Sequence, residues 1–129
     1  MDKRALSFAT IIPLRNDIAE VIVDEGVELD LDMVRQYHRY LLANFNSPFS
    51  LLINKIHAYT YTFEAQLNLA TLEEINVMAV VAYNRATKVS TENLANSIPR
   101  QIEWNLRIFN ERSSAVSWLV EQQSALSET

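Results

Sequence analysis

Cysteine is absent from this 129-residue chain, and glycine occurs only once. Without cysteine there is no disulfide, no thiolate metal site and no thiol nucleophile. A single glycine excludes the glycine-rich loops that bind phosphates and dinucleotides, and also the glycine-flanked turn that holds a serine nucleophile. These absences exclude the most easily recognised catalytic motifs.

Two further kinds of segment are missing, a basic stretch and a long apolar run. The chain has 11 Lys and Arg against 16 Asp and Glu, and its net charge of -5 has the wrong sign for a general nucleic-acid binder. The longest unbroken apolar run, 77 to 83, is far shorter than the roughly 20 residues that cross a bilayer. We therefore expect no nucleic-acid partner, no integral membrane segment and a cytoplasmic location.

What the sequence does contain is the composition of one globular domain. Apolar residues make up 49% and charged residues 21%, which is inconsistent with a disordered tail. The length suffices for one hydrophobic core and is too short for two. We treat residues 1 to 129 as a single domain.

Hydrophobic periodicity alternates along the chain between the two-residue period of strands and the 3.6-residue period of helices. Strands are predicted at 6 to 14, 18 to 23, 49 to 54, 75 to 81 and 103 to 109, with helices starting near 31, 63, 84 and 111. Strands that alternate with helices imply right-handed crossovers and a largely parallel sheet, to which the first hairpin adds an antiparallel edge. The predicted fold is α/β, a five-stranded mixed sheet packed with four helices in the order ββαβαβαβα.

Capping and turn residues support several of these boundaries. Asp30 and Thr62 precede helical periods and are predicted to cap the first and second helices. Gly26 lies in a predicted turn that needs a positive φ. The side chains that we expect to face the core from the second helix are Phe63, Leu67 and Ala70.

Four segments in this order carry a resemblance to a known family. They are GVELDLDMVRQYHRYL (26 to 41), SLLIN (50 to 54), NVMAVVAY (76 to 83) and LRIFNERSSAVSWLVEQ (106 to 122). Together they resemble the SpoIIAA-like family of the STAS superfamily, which has the anti-anti-sigma-factor fold. The resemblance spans nearly the whole chain but rests mostly on packing residues, so it implies a fold more strongly than an activity.

The resemblance also implies a candidate regulatory site. In anti-anti-sigma proteins, a serine in an Asp-Ser-Ser/Thr-Gly stretch at the start of the second helix is phosphorylated by an anti-sigma kinase, and the unmodified form binds that kinase. Thr62 lies nearest that position and Thr60 is next, although residues 59 to 64 lack the Asp, the Ser and the Gly. A phosphate on Thr62 would lie at a helix N-terminus, where it is favoured. The alternative is that Thr62 is an ordinary N-cap.

Two tyrosines and a histidine precede the second helix. If Tyr59 and Tyr61 are exposed, they form an aromatic patch suited to a protein or lipid partner; if they fold inward, they belong to the core. His57 is the better of the two histidines as a functional candidate. His38 lies at the border of the first helix's apolar face, and we expect it to be packed or half-exposed.

Charged residues elsewhere form no convincing site. The alternating acids at 28, 30 and 32 lack the glycine and the glutamate of a calcium loop, so we expect no metal and no cofactor. The charges around the last strand, which include Arg107 and Arg112, are interleaved with acids and are expected to form a solvated surface.

Three hypotheses about function follow. The first is a non-enzymatic, cytoplasmic protein-interaction module, with an unidentified protein partner or a second copy of the chain, because no catalytic set converges. The second is a carrier of a lipid or small apolar molecule, since SpoIIAA-like folds are often compared with the lipid-binding Sec14 type and an aromatic cluster lies at Tyr59 to Phe63. The third is an enzyme that uses His57 with Glu64 or Glu73, which requires these groups to meet in one cleft.

Overall fold

Eleven helices and strands follow one another in the computed structural model, which describes residues 6–97 and 104–127. In chain order they are β1 (Ala9–Arg15), β2 (Ile18–Val23), β3 (Glu28–Leu29), α1 (Leu31–Asn44), β4 (Phe49–Asn54), β5 (Thr60–Tyr61), α2 (Phe63–Asn68), β6 (Ile75–Val81), α3 (Arg85–Ser97), β7 (Leu106–Phe109) and α4 (Arg112–Ser127). Position 103, at the start of the last predicted strand, lies outside the described residues.

Five of the strands form one mixed sheet in the spatial order β1-β2-β4-β6-β7. β1 runs antiparallel to β2, and every other neighbouring pair in this sheet is parallel. The predicted five-stranded mixed sheet and the four helices are thus confirmed in the described part of the chain. The two-residue strands β3 and β5 form a separate parallel pair, which is too short to leave a hydrophobic period in the sequence.

The strand order explains where the helices lie. From β2 to β7 each parallel strand is added on the same side of its predecessor, so right-handed crossovers place the connecting helices on one face. Side chains such as Val21 and Met78 face that side and pack with residues of α1 and α2. Leu52 and Ala79 face the opposite side and pack under α4.

The two faces are covered to different degrees. α4 packs closely on β4, β6 and β7 and buries Ala115 and Leu119. α1 buries Val34, Tyr37 and Leu41, yet α1 and α3 approach the strands less closely than α4 does. Space therefore remains between the sheet and α1 and α3.

Predicted caps and turns are confirmed in atomic detail. The Asp30 carboxylate accepts a hydrogen bond from the backbone N–H of Met33 at 2.9 Å. The Thr62 hydroxyl oxygen accepts one from the backbone N–H of Ala65 at 3.1 Å. Gly26 has a φ of +78°. These local features follow from residue type alone.

The prediction for the inner face of α2 was wrong at Phe63. This side chain is 66% exposed, and Ala65 is the residue that α2 buries. Positions two apart on a helix point roughly 200° apart, so burial of Ala65 turns Phe63 toward solvent. The helix also ends at Asn68, before Ala70, which adopts a φ of +55°.

Among the residues that the structure describes, no helix is both long enough and apolar enough to span a bilayer.

Candidate functional site

A cavity lies between the sheet and helices α1 and α3. The space between the atoms there, including the part that belongs to open solvent, totals about 640 Å³, so the room for a ligand is smaller than this figure. Apolar side chains make up most of its wall; they include Val21, Ile53, Met78, Val80, Leu94 and Leu106. Small-molecule sites in proteins are typically concave and apolar with few polar groups, and this cavity has that form.

Two small residues interrupt the larger side chains of the cavity wall. Ala9 and Ala70 contribute only a methyl group each. On α3, Thr91 and Leu94 reach the cavity, whereas Val89 is exposed. The Thr91 hydroxyl donates to the backbone oxygen of its own helix, so it adds no free donor.

Tyr37 is the most unusual polar residue in the wall. It projects from α1 and is only 6% exposed, and its hydroxyl has no hydrogen-bond partner. Burial raises the pKa of this phenol well above its ordinary value, and the nearby Tyr61 raises it further. The hydroxyl is therefore protonated at neutral pH. A buried hydroxyl without a partner costs on the order of 1–3 kcal/mol, which is why such groups are rare.

Lys55 adds a positive charge to the same cavity. It is the first residue after β4 and is partly buried, with its Nζ 5.6 Å from the ring centroid of Tyr59 and 5.7 Å from that of Tyr61. Burial lowers the pKa of Lys55 to about 8. Within residues 6–97 and 104–127, no carboxylate lies within 4 Å of this ammonium. The aromatic rings hold the charge without neutralising it.

Tyr59 and Tyr61 connect Lys55 with Tyr37. Their rings meet edge to face with centroids 5.4 Å apart. Burial raises the pKa of Tyr59 well above the ordinary value, and Tyr61 and Tyr37 raise it further. Three tyrosine side chains and one ammonium thus line the same cavity.

The residues predicted as a site separate into two groups. Tyr59 and Tyr61 fold inward, which is the second of the two alternatives considered for them, and they line the cavity. Thr62 serves as the N-cap of α2, and Thr60 is exposed on β5. Neither threonine lines the cavity, and phosphorylation of either one stays a prediction.

The two histidines occupy different environments. His57 is exposed, and its Nδ1 lies 3.9 Å from Glu25 Oε2. In the described ranges it forms no pair with Glu64 or Glu73, the acids proposed for an enzyme. His38 is half-buried, as expected, and its Nε2 accepts a hydrogen bond from the backbone N–H of Ala70 at 3.1 Å. Burial lowers the pKa of His38 to about 4.

On the opposite face of the sheet, Glu20 forms a buried ion pair that sequence reasoning missed. Its side chain is only 3% exposed, and Arg112 donates to both carboxylate oxygens, at 2.7 and 3.0 Å. Asn54 donates to the same carboxylate at 2.9 Å and accepts from Tyr83. Burial raises the pKa of Glu20, but the hydrogen bonds from Arg112 and Asn54 outweigh burial and lower it.

This ion pair corrects the expectation of a solvated surface at Arg112. The cause is the position of Glu20, which faces α4 from inside the sheet, where the Arg112 guanidinium at the start of α4 reaches it. Because every group in the cluster has a partner, we assign it a structural role: it attaches the start of α4 to the sheet. A lone acid inside the apolar strand 18 to 23 was the one available signal.

Sequence reasoning also missed Lys55 and Tyr37 as members of a site. Lys55 follows an apolar strand, and Tyr37 lies on the apolar face of a helix, and both are common contexts. No protein-family model matches the chain, and no match is found among curated proteins or solved structures. Function is therefore argued from the cavity itself.

Proposed function

We propose that the protein binds a small, mainly apolar molecule in the cavity between the sheet and helices α1 and α3, and acts as its carrier. The observation that carries this proposal is the buried Tyr37 hydroxyl, which has no hydrogen-bond partner and belongs to a side chain that lines an apolar cavity. A ligand acceptor would satisfy this hydroxyl, and the apolar wall would remove the rest of the ligand from water. Each buried CH₂ group contributes about 0.8 kcal/mol.

Tryptophan fluorescence offers a direct test. The chain has two tryptophans, and only Trp104 lines the cavity, since Trp118 lies on α4 and packs with Phe109 on the opposite face of the sheet. In a Trp118→Phe background, titration with decan-1-ol should change the Trp104 emission until it saturates. A change that fails to saturate, or no change, would contradict the proposal.

A matched pair of variants on α3 localises the binding. Leu94→Phe enlarges a side chain in the cavity wall and should weaken decan-1-ol binding. Val89→Phe makes a comparable enlargement on the exposed side of the same helix and should leave binding unchanged. Equal affinities in the two variants would place the alcohol outside the cavity.

A second candidate is the protein-interaction module. Ile56 and Phe63 are 60% and 66% exposed, and they flank the segment that carries Tyr59 and Tyr61. Large apolar side chains in this position favour contact with a protein or a second copy of the chain. Sedimentation of the wild type and of the Ile56→Ser/Phe63→Ser double variant tests whether the chain forms a homodimer through this surface. The wild type should sediment as a dimer and the double variant as a monomer. A monomeric wild type excludes the homodimer.

The SpoIIAA-like, STAS-type fold is also part of this proposal. The mixed sheet with one antiparallel edge strand and four helices supports it. The cytoplasmic location stays a prediction.

A further inference from the structure

We propose that the ligand is a monocarboxylate with an apolar chain, and that its carboxylate binds at the polar end of the cavity to the Lys55 ammonium and the Tyr37 hydroxyl. This inference rests on the proposed function, because it names the head group of the molecule that the cavity binds. It makes the site one for acids of the fatty-acid type.

This end of the cavity carries a positive charge. Lys55 brings one positive charge, and in the part of the chain that the structure describes no acid lies within 4 Å to balance it. The surrounding wall is apolar, so the charge lacks the solvation that an exposed lysine has. A ligand with a single negative charge would balance it. A doubly charged phosphate would leave one uncompensated charge in an apolar cavity.

The hydrogen-bonding capacity of the same groups also favours a carboxylate. An ammonium has only donors, and the unpartnered Tyr37 phenol remains protonated and can donate as well. A carboxylate has two acceptor oxygens, one for each of these donors. A primary amine would instead place a second positive charge beside Lys55.

The two donors, Lys55 and Tyr37, line the same cavity. Lys55 Nζ lies over the rings of both Tyr59 and Tyr61. Tyr37 lines the same cavity from α1. The remainder of the wall is apolar and suits the chain of the acid.

The protonation state of Lys55 gives the site a characteristic pH dependence. The titratable groups that face Lys55 in the cavity are the phenols of Tyr37, Tyr59 and Tyr61, while His57 and Glu25 pair on the adjoining loop. Burial raises the pKa of the Tyr37 and Tyr59 phenols, so both keep their protons at neutral pH, whereas burial lowers the pKa of Lys55 to about 8. A bound carboxylate favours the ammonium, so its affinity should be constant below pH 7 and should fall as the pH rises past 8.

The test compares decanoate with decan-1-ol, which have equal chain length and differ in charge. Both are titrated into the Trp118→Phe protein below their aggregation concentrations. At pH 7, decanoate should bind about tenfold more tightly than decan-1-ol, equivalent to about 1.4 kcal/mol. Between pH 7 and pH 9.5 this preference should shrink several-fold, while the affinity for decan-1-ol stays constant.

Lysine variants assign the preference to one residue. The chain has three lysines, of which Lys88 is exposed on α3 and provides a matched control. Lys55→Met should abolish the preference for decanoate and retain decan-1-ol binding, whereas Lys88→Met should retain both. If Lys55→Met fails to fold, the pH series on the Trp118→Phe protein decides alone.

The outcomes separate the two proposals. If decan-1-ol binds as tightly as decanoate, the carboxylate inference is overturned and the binding function stands. The same inference fails if the Lys55→Met protein keeps its tenfold preference or if the preference is unchanged at pH 9.5. If neither compound binds, the proposed function itself fails.

Discussion

Replacing His38 with glutamine should make the protein less sensitive to acid. His38 Nε2 can accept the hydrogen bond from Ala70 only while that nitrogen carries no proton. Burial accordingly lowers the pKa of His38 from 6.5 to about 4. At about 1.4 kcal/mol per pH unit, this difference corresponds to roughly 3 kcal/mol between the two protonation states.

The sign follows from where the proton binds. Between pH 6.5 and pH 4, His38 takes up a proton in the unfolded chain and remains neutral in the folded one. Acid therefore favours unfolding, and the free energy of unfolding should fall by about 2 kcal/mol from this residue alone between pH 7.5 and pH 5. In the His38→Gln protein, the amide oxygen can accept from Ala70 at every pH, so this contribution disappears.

Urea unfolding at pH 7.5 and pH 5 measures the effect. The wild type should lose about 2 kcal/mol more than His38→Gln over this interval, because the carboxylates contribute equally to both proteins. His57→Gln, which changes the exposed histidine, should behave like the wild type. If the wild type and His38→Gln lose the same free energy of unfolding, the conclusion that His38 is buried as a neutral imidazole is wrong.

Three further changes test other parts of the structure by chemical denaturation. Thr62→Ala removes the N-cap of α2 and should cost about 1 kcal/mol, against less than about 0.5 kcal/mol for the exposed Thr60→Ala; equal losses would contradict the cap. Arg112→Met leaves the Glu20 carboxylate buried without its charged partner, so it should lower the free energy of unfolding by about 3 kcal/mol at pH 7 and by less at pH 4. Adding Glu20→Gln to the same protein should recover part of the loss. A loss that does not depend on pH would refute this assignment. Gly26→Ala should cost about 1 kcal/mol for its positive φ, since the added methyl group meets no atom within 4 Å, and an unchanged stability would argue against that backbone conformation.

Local features were the most predictable from the sequence. The strand Phe49–Asn54 is bounded where its apolar run begins and ends. Asp30 and Gly26 act through their own backbone and nearest neighbours, so residue type alone predicted their roles. Phe63 shows the limit of such reasoning. An apolar residue at the start of a short helix gives no sign of which face the helix will bury, and the packing of Ala65 decided it.

The candidate site was not predictable in the same way. Lys55, Tyr59 and Tyr61 belong to one segment of the chain. Tyr37, which completes the proposed site with them, comes from α1. A cavity is a property of distances between elements, and hydrophobic periodicity does not contain those distances. The aromatic cluster itself was visible in the sequence, which left open whether Tyr59 and Tyr61 are exposed or fold inward. The structure shows that they fold inward.

A crystal structure of the protein grown with decanoate tests the central claim most directly. The account predicts electron density for the acid between the sheet and helices α1 and α3, with one carboxylate oxygen within hydrogen-bond distance of Lys55 Nζ and the other within reach of the Tyr37 hydroxyl. A cavity closed by its own side chains, or an acid bound only on the outer surface, would contradict it.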